Sequence, residues 1–117
     1  MIADPTPPVI TVSASPETLW PPNGRLVTVT VSGTITDGDD GSGVQASTYQ
    51  VIDEYGQVQP SGSITLGADG RYTLTVQLQA SRRGNDQDGR RYTILVSATD
   101  VAGNQGNAPA TVTVPRN

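Results

Sequence analysis

The sequence is distinguished first by the residues that it does not contain. It has no cysteine, histidine, phenylalanine or lysine, and its seven basic residues are all arginine. The absence of cysteine excludes disulfides. The absence of both cysteine and histidine excludes the usual zinc sites and every catalytic triad that uses histidine as its base.

Charge and hydropathy exclude two further classes of function. The net charge is −4, and no stretch collects the arginines into a basic stripe, so we expect no nucleic-acid partner. No apolar run approaches the roughly 18 residues that a membrane-spanning helix needs. We therefore expect no membrane insertion.

The length and the pattern of apolar residues predict one all-β domain. A chain of 117 residues can bury roughly two-thirds of its unfolded surface, so it can fold without cross-links. The clearest strand is 26–36, where valine and isoleucine alternate with threonine and serine. Gly33 takes an inward position in this strand, which indicates either a bulge or close packing beneath a large side chain.

A second alternating stretch, residues 91–104, reads RYTILVSATDVAGN. Its first half is predicted to be a central strand, and its end, residues 100–104, has the composition of a polar turn. Tyr92 opens the strand after Asp88 and Gly89, an arrangement that resembles a tyrosine corner. The residues predicted to face the core are Tyr92, Ile94, Val96 and Ala98.

The remaining strands complete a sandwich. They are predicted at 9–14, 46–54, 71–79 and 109–114, with two short strands between residues 55 and 70. Asp69-Gly70 is a hairpin signal, and residues 81–91 are predicted to form a charged loop in which Asp86 and Asp88 oppose four arginines. About seven strands with frequent turn signals predict an immunoglobulin-like Greek-key β-sandwich at 9–115, with linkers at 1–8 and 116–117.

Two aromatic side chains are candidate ligand platforms. Trp20 lies in a proline-rich loop between Leu19 and Pro21, where it is predicted to cap one end of the core by packing on the prolines. The alternative is an exposed indole that stacks on a sugar ring. Tyr55 is the second candidate, because the other three tyrosines are assigned to inward positions.

Three motifs, taken in order, resemble the bacterial immunoglobulin-like domains of secreted and cell-surface proteins. They are the loop LWPPN at 19–23, the corner DGRRY at 88–92 and the turn ATDVAGN at 98–104. The resemblance covers nearly the whole chain, and it implies a secreted or cell-surface location. It also implies neighbouring domains in the parent chain, since such domains often occur in tandem. We expect the isolated domain to be a monomer.

The topology implied by this resemblance predicts a calcium site at one pole of the sandwich. The oxygen-bearing side chains expected to converge there belong to Asp4, Asp37, Asp39, Asp40, Asp100 and Asn104. Calcium binds six to eight oxygen atoms of this kind. Glu17, Asp86 and Asp88 are expected at the opposite pole, and cadherins, which are similar in this respect, bind calcium between such poles. The alternative is a pair of solvated acidic ends.

The sequence predicts a non-catalytic protein. Its paired carboxylates lie in glycine-rich turns, whereas catalysis would need an apolar cleft that raises one pKa. We expect a structural spacer or adhesion domain of a bacterial protein, whose partners are neighbouring domains and a cell-surface protein or glycan. The alternative is a carbohydrate-binding or accessory module attached to a secreted hydrolase.

A covalent cross-link is a separate question. Some surface domains of this fold carry an isopeptide bond that normally uses lysine, and the absence of lysine excludes it here. An ester between threonine and glutamine stays open.

Overall fold

The computed structural model describes residues 7–36, 44–67, 69–81 and 89–115. Seven strands lie in these ranges: β1 (Val9–Ser15), β2 (Leu26–Thr36), β3 (Val44–Asp53), β4 (Ser61–Ser63), β5 (Arg71–Gln79), β6 (Arg90–Asp100) and β7 (Gln105–Val114). They form two antiparallel sheets with the orders β1-β2-β5 and β4-β3-β6-β7. The predicted all-β sandwich of about seven strands is confirmed. Within the described ranges, no helix is long and apolar enough to cross a membrane.

One apolar core lies between the two sheets. Successive residues of a strand point to opposite faces, so the valines of β2 face inward while its threonines cover the outer surface. The predicted inward face of β6 is confirmed, because Tyr92, Ile94, Val96 and Ala98 are all buried. Fully buried side chains of this core include Val29, Val31, Val51, Leu78, Ile94, Val96 and Val112.

Gly33 serves close packing and does not mark a bulge. It pairs with Val12 of β1 and with Tyr72 of β5, and both ladders run through it without a shift of register. A Cβ atom at this position would overlap the carbonyl oxygen of Thr11 and would lie 3.0 Å from the Tyr72 hydroxyl. The glycine therefore makes room for the tyrosine to cross β2.

Two buried tyrosines connect distant parts of the backbone through their hydroxyls. Tyr72 donates to the carbonyl oxygen of Thr11 at 2.8 Å, which ties β5 to β1 across the first sheet. Tyr92 of β6 donates to the carbonyl oxygen of Gln79 at 2.7 Å and accepts from its N–H at 3.2 Å. This bond to the backbone upstream confirms the predicted tyrosine corner, and it joins the two sheets.

The structure corrects two details between β3 and β5. One short strand, β4, lies in residues 55–67 where two were predicted, because only Ser61–Ser63 pair with β3. The tight turn at Asp69-Gly70 is present, with Gly70 at a φ of 81°. It leads from the second sheet to the first, however, so it is not a hairpin turn.

The strand directions define two poles. At the N-terminal pole β1 begins at Val9 beside the end of β2, and the turn between β6 and β7 lies at the same end, because Gly106 at the start of β7 packs against the backbone of Pro8. At the C-terminal pole β7 ends at Val114 opposite Arg90, the first residue of β6. The chain therefore enters the described fold at one pole and leaves it at the other.

The buried tyrosines predict how stability falls in alkali. Burial raises the pKa of Tyr72 from 10.0 to about 12. Burial also raises the pKa of Tyr92 to about 12, although the nearby Arg90 opposes the rise. Because the folded state holds both protons more tightly, their stabilising effect is complete below pH 10 and is lost as the pH rises towards 12, with a slope of about 1.4 kcal/mol per pH unit for each tyrosine.

Urea unfolding between neutral pH and about pH 12 measures this slope. Tyr72→Phe should be less stable throughout but should lose stability with pH less steeply, since one of the two groups no longer titrates. An equally steep loss in the variant would contradict the assignment.

Candidate functional site

The C-terminal pole contains a buried ion pair between the last residue of β3 and the first residue of β6. Nε of Arg90 donates to Oδ1 of Asp53 at 3.0 Å, and Nη2 donates to Oδ2 at 2.6 Å. The two side chains are 1% and 0% exposed. Two parallel, charge-assisted hydrogen bonds of this kind fix both the position and the orientation of the guanidinium.

The rest of the guanidinium is also in contact with protein groups. The ring centroids of Tyr55 and Tyr92 lie 4.6 and 4.8 Å from the Arg90 Cζ atom, which is the distance of a cation–π contact. Nη1 donates to the carbonyl oxygen of Ser81 at 3.2 Å and to its hydroxyl at 3.1 Å. Because Ser81 follows β5 of the first sheet, Arg90 connects the two sheets.

The Asp53 carboxylate also organises the loop that follows β3. Oδ1 accepts from the N–H of Tyr55 at 3.0 Å, and Oδ2 accepts from the N–H groups of Gln57 at 3.0 Å and Val58 at 2.8 Å. Burial alone would raise the pKa of Asp53, but the bonds from Arg90 and from the three backbone N–H groups hold it well below its usual value of 3.8. The pKa of Arg90 is raised in turn: burial opposes the rise, and the bond to Asp53 outweighs it.

This cluster corrects the sequence prediction for residues 81–91. Arg90 was predicted in a charged loop opposite Asp86 and Asp88, yet it lies in β6 and its partner is Asp53. Asp86 and Asp88 lie outside the described residues. A signal was present in the sequence: Arg90 continues the alternation of Tyr92 and the inward residues after it, so strand geometry points it at the core.

Trp20 does not cap the core, and this prediction was wrong. Its side chain is 52% exposed, whereas Leu19 is only 1% exposed and occupies the end of the core. Leu19 is held there by its N–H, which donates to the carbonyl oxygen of Thr113 at 2.9 Å. Consecutive residues of an extended segment face opposite ways, so burying Leu19 turns Trp20 outward.

The other candidate platform, Tyr55, differs from Trp20. Its ring is half-buried and one face packs against the Arg90 guanidinium. Both residues lie in loops of the C-terminal pole. Of the two, Trp20 presents the more accessible aromatic surface.

At the N-terminal pole, Asp100 and Asn104 bind each other. Oδ1 of the fully buried Asp100 accepts from the Asn104 N–H at 2.7 Å, and Oδ2 accepts from Nδ2 of Asn104 at 3.0 Å. The backbone closes the same turn, because the Asp100 N–H donates to the carbonyl oxygen of Asn104 at 2.9 Å. These bonds shape the turn before β7.

Four of the six predicted calcium ligands are not among the residues that the structure describes. Asp4, Asp37, Asp39 and Asp40 lie outside the described residues, so their meeting with Asp100 stays a prediction. In the part of the chain that the structure describes, no group of three or more acidic side chains could hold a metal ion.

A threonine and a glutamine lie within hydrogen-bonding distance of each other on the outer face of the first sheet. Nε2 of Gln77 donates to Oγ1 of Thr28 at 2.7 Å across the β2–β5 ladder. Both side chains are exposed, and the contact is a cross-strand hydrogen bond of the kind that stabilises sheets. An ester at this pair would lower the intact mass by one ammonia.

Comparison with known proteins gives one family. The sequence profile of bacterial Ig-like domains matches residues 16–115. Among solved structures, a chain from a 1.5-MDa bacterial ice-binding adhesin is 20% identical, with a TM-score of 0.48; the match covers 92% of this chain and 32% of that one. The chain thus spans about a third of the length of the adhesin chain. The comparison with curated proteins gave no match.

The ion pair predicts which charge changes matter for stability. Arg90→Met should lower the free energy of unfolding by about 3–5 kcal/mol, because it leaves the Asp53 carboxylate buried without its cation. Asp53→Ala should cost at least as much, since three backbone N–H groups also lose their acceptor. Urea unfolding of each variant measures these differences.

The matched control is the exposed pair of Arg71 and Asp69, whose closest N–O distance is 3.4 Å. Arg71→Met should change stability by less than about 1 kcal/mol, as is usual for solvated ion pairs. If Arg90→Met and Arg71→Met lowered the free energy of unfolding equally, the buried ion pair would stabilise the fold no more than the exposed one.

Proposed function

The chain belongs to the bacterial Ig-like domain family, and from this we propose that it is a non-catalytic module of a secreted or cell-surface bacterial protein. It acts there as a structural spacer or adhesion domain between neighbouring domains. The observation that supports this proposal is the placement of the first and last strands, since β1 begins at the pole opposite to the one where β7 ends. A polypeptide that crosses the fold in this way gains length from each module.

The length of the strands determines the distance between the two poles. β6 has 11 residues, and at about 3.3 Å per residue it spans roughly 35 Å from one pole to the other. The fold achieves this length with no cysteine and therefore no disulfide. The buried ion pair and the hydroxyl bonds of Tyr92 connect the two sheets in place of disulfides.

The last strand is also anchored in a way that suits a module under tension. The N–H of Leu19 donates to Thr113, and the N–H of Thr113 donates to the carbonyl oxygen of Glu17, each at 2.9 Å. Thr18 and Thr113 form a parallel bridge. A force applied between the poles acts along the two segments and therefore perpendicular to these hydrogen bonds. Under such shear the bonds must break together. The module would therefore resist extension along the axis that a spacer uses.

Calcium is part of this proposal as a stabilising ligand of the N-terminal pole. Asp37, Asp39 and Asp40 supply carboxylates beside glycines, and a bound cation would relieve the repulsion among them. Asp100 and Asn104 would adjoin this loop in an immunoglobulin-like sandwich. Asp100 and Asn104 also hold their own turn together. Substitutions in the acidic loop therefore test calcium binding without disturbing that turn.

Thermal melting with millimolar calcium and with chelator tests the calcium site. We expect calcium to raise Tm, because a ligand at about 100 times its Kd adds roughly 2.7 kcal/mol to the free energy of unfolding. Asp39→Asn with Asp40→Asn should abolish the shift, whereas Asp69→Asn, in an exposed turn, should leave it unchanged. If Tm is the same with calcium and with chelator, there is no calcium site.

The exposure of Trp20 favours a second candidate function, a carbohydrate-binding module attached to a secreted hydrolase. An exposed indole can stack on a sugar ring, and Trp20 is 52% exposed. The chain has one tryptophan, so its fluorescence reports on this side chain alone.

Titrating polysaccharides while monitoring tryptophan emission distinguishes a spacer from a carbohydrate-binding module. A spacer should show no saturable change with any glycan, and Tyr55→Phe should behave in the same way. A saturable emission shift on a glycan, with binding lost in Trp20→Ala by an independent assay, would replace the spacer proposal with carbohydrate binding.

A further inference from the structure

β5 is a long edge strand whose outer side is open. β2 lies on one side of it, and no strand in the described part of the chain pairs with the other side. The edge at β1 differs, because β1 lies against β7 and the backbone of Pro8 packs on Gly106. β7 carries Pro109, and β4 has only three residues. Long edge strands that lack such protection are sites where a further strand can add.

The backbone of β5 bonds to β2 through its even-numbered residues and turns its odd-numbered residues to the free side. The Ile35 N–H donates to the carbonyl oxygen of Gly70 at 2.9 Å, and the Ala80 N–H donates to that of Arg25 at 2.8 Å. Hydrogen-bonded pairs recur at every second residue between these two. Side chains alternate in step, so the odd-numbered residues carry their side chains on the outer face of the sheet.

The free side of β5 is closed at both ends. The Arg71 N–H donates to Oδ1 of Asp69 at 3.1 Å, and the Arg71 carbonyl oxygen accepts from the Gly67 N–H at 2.8 Å. At Gln79 both backbone groups bond to the Tyr92 hydroxyl. The ends of the strand therefore have no backbone groups left for a further strand.

The part of the edge between these ends forms an open window of three residues, Thr73, Thr75 and Gln77. Their outward N–H and C=O groups have no hydrogen-bond partner in the ranges that the structure describes. The window contains no proline and no charged side chain, and the β2–β5 register runs through it without a bulge. Leu74 faces the core but is only half-buried. An added strand would pair the free backbone groups and cover Leu74.

We propose that the open window of β5 binds the same window of a second copy of this chain, as an antiparallel pair with a twofold axis at Thr75. The window is symmetric about this residue, because its closed ends, Arg71 and Gln79, each lie four residues away. Pairing Thr75 with its own copy places Thr73 opposite Gln77 of the second copy, and each such pair exchanges two backbone hydrogen bonds. In any other antiparallel register of this kind, at least one open residue would face a closed one.

The side chains and the other edge of the sheet fit a closed dimer. On the outer face threonine meets threonine or glutamine, so no like charges meet within the window. Because β1 lies against β7, the far edge of each sheet is covered and the assembly stops at two copies. One strand pair is smaller than the roughly 1,200–2,000 Å² of stable interfaces, so the dilute chain stays monomeric.

Pairing through β5 joins two modules along their sides and leaves both poles free. On a bacterial surface that displays many copies, it would connect neighbouring polypeptides laterally. This consequence rests on the proposed function as a spacer, whereas the pairing itself does not.

Sedimentation equilibrium of the full chain, from micromolar to millimolar concentration, tests the pairing. We expect the weight-average mass to rise towards that of a dimer. Thr75→Pro removes the central N–H but no bond within the chain, and proline is accepted where the N–H of an edge strand faces solvent. It should weaken the association by about tenfold or more, because each copy loses a donor. Thr75→Val keeps the N–H and should associate like the unmodified chain.

Two arginine variants test the twofold axis without relying on proline. Thr75→Arg places like charges directly opposite each other, so it should weaken the association, most strongly at low salt. Thr73→Arg is the matched control, because its arginine faces Gln77 of the second copy and the net charge of each chain is −4. It should not weaken the association.

The proposal is overturned if no dimer forms at millimolar concentration, if Thr75→Pro or Thr75→Arg associates undiminished, or if Thr73→Arg loses as much as Thr75→Arg. Each of these results would leave the spacer function intact.

Discussion

The fold depends on a buried ion pair that serves both sheets at once. Arg90 holds the Asp53 carboxylate with two hydrogen bonds, reaches Ser81 beyond the end of β5, and lies between the rings of Tyr55 and Tyr92. Charged groups with so little exposure are costly unless every polar atom finds a partner. Here the loop after β3 supplies three of those partners, so the loop and the ion pair stabilise each other.

The two poles of the sandwich are held together by different polar contacts. The C-terminal pole is organised by the ion pair and by the parallel segment that buries Leu19 and turns Trp20 outward. The turn at the N-terminal pole is organised by the mutual bonds of Asp100 and Asn104. Both polar clusters consist of contacts that shape the backbone.

The strands were predictable from the sequence because alternation is a local signal. The valines of β2 and the inward residues of β6 repeat every second position, and the tyrosine corner at Tyr92 follows from its place at the start of β6. The ion pair was not predicted, since Asp53 and Arg90 are 37 residues apart and their pairing depends on the β3–β6 register. Trp20 was assigned wrongly for a related reason. Composition favoured burial, but the bonds of Leu19 to β7 decided which neighbour entered the core.

The central claim is that the module carries tension from pole to pole, and single-molecule pulling tests it most directly. Because the chain has no cysteine, introduced cysteines at residues 7 and 115 give unique handles at opposite poles, and cysteines at 25 and 115 give handles at the same pole. The pole-to-pole pull shears the bonds of Thr113 with Glu17 and Leu19, so it should require the higher unfolding force. Equal forces in the two geometries would contradict the account.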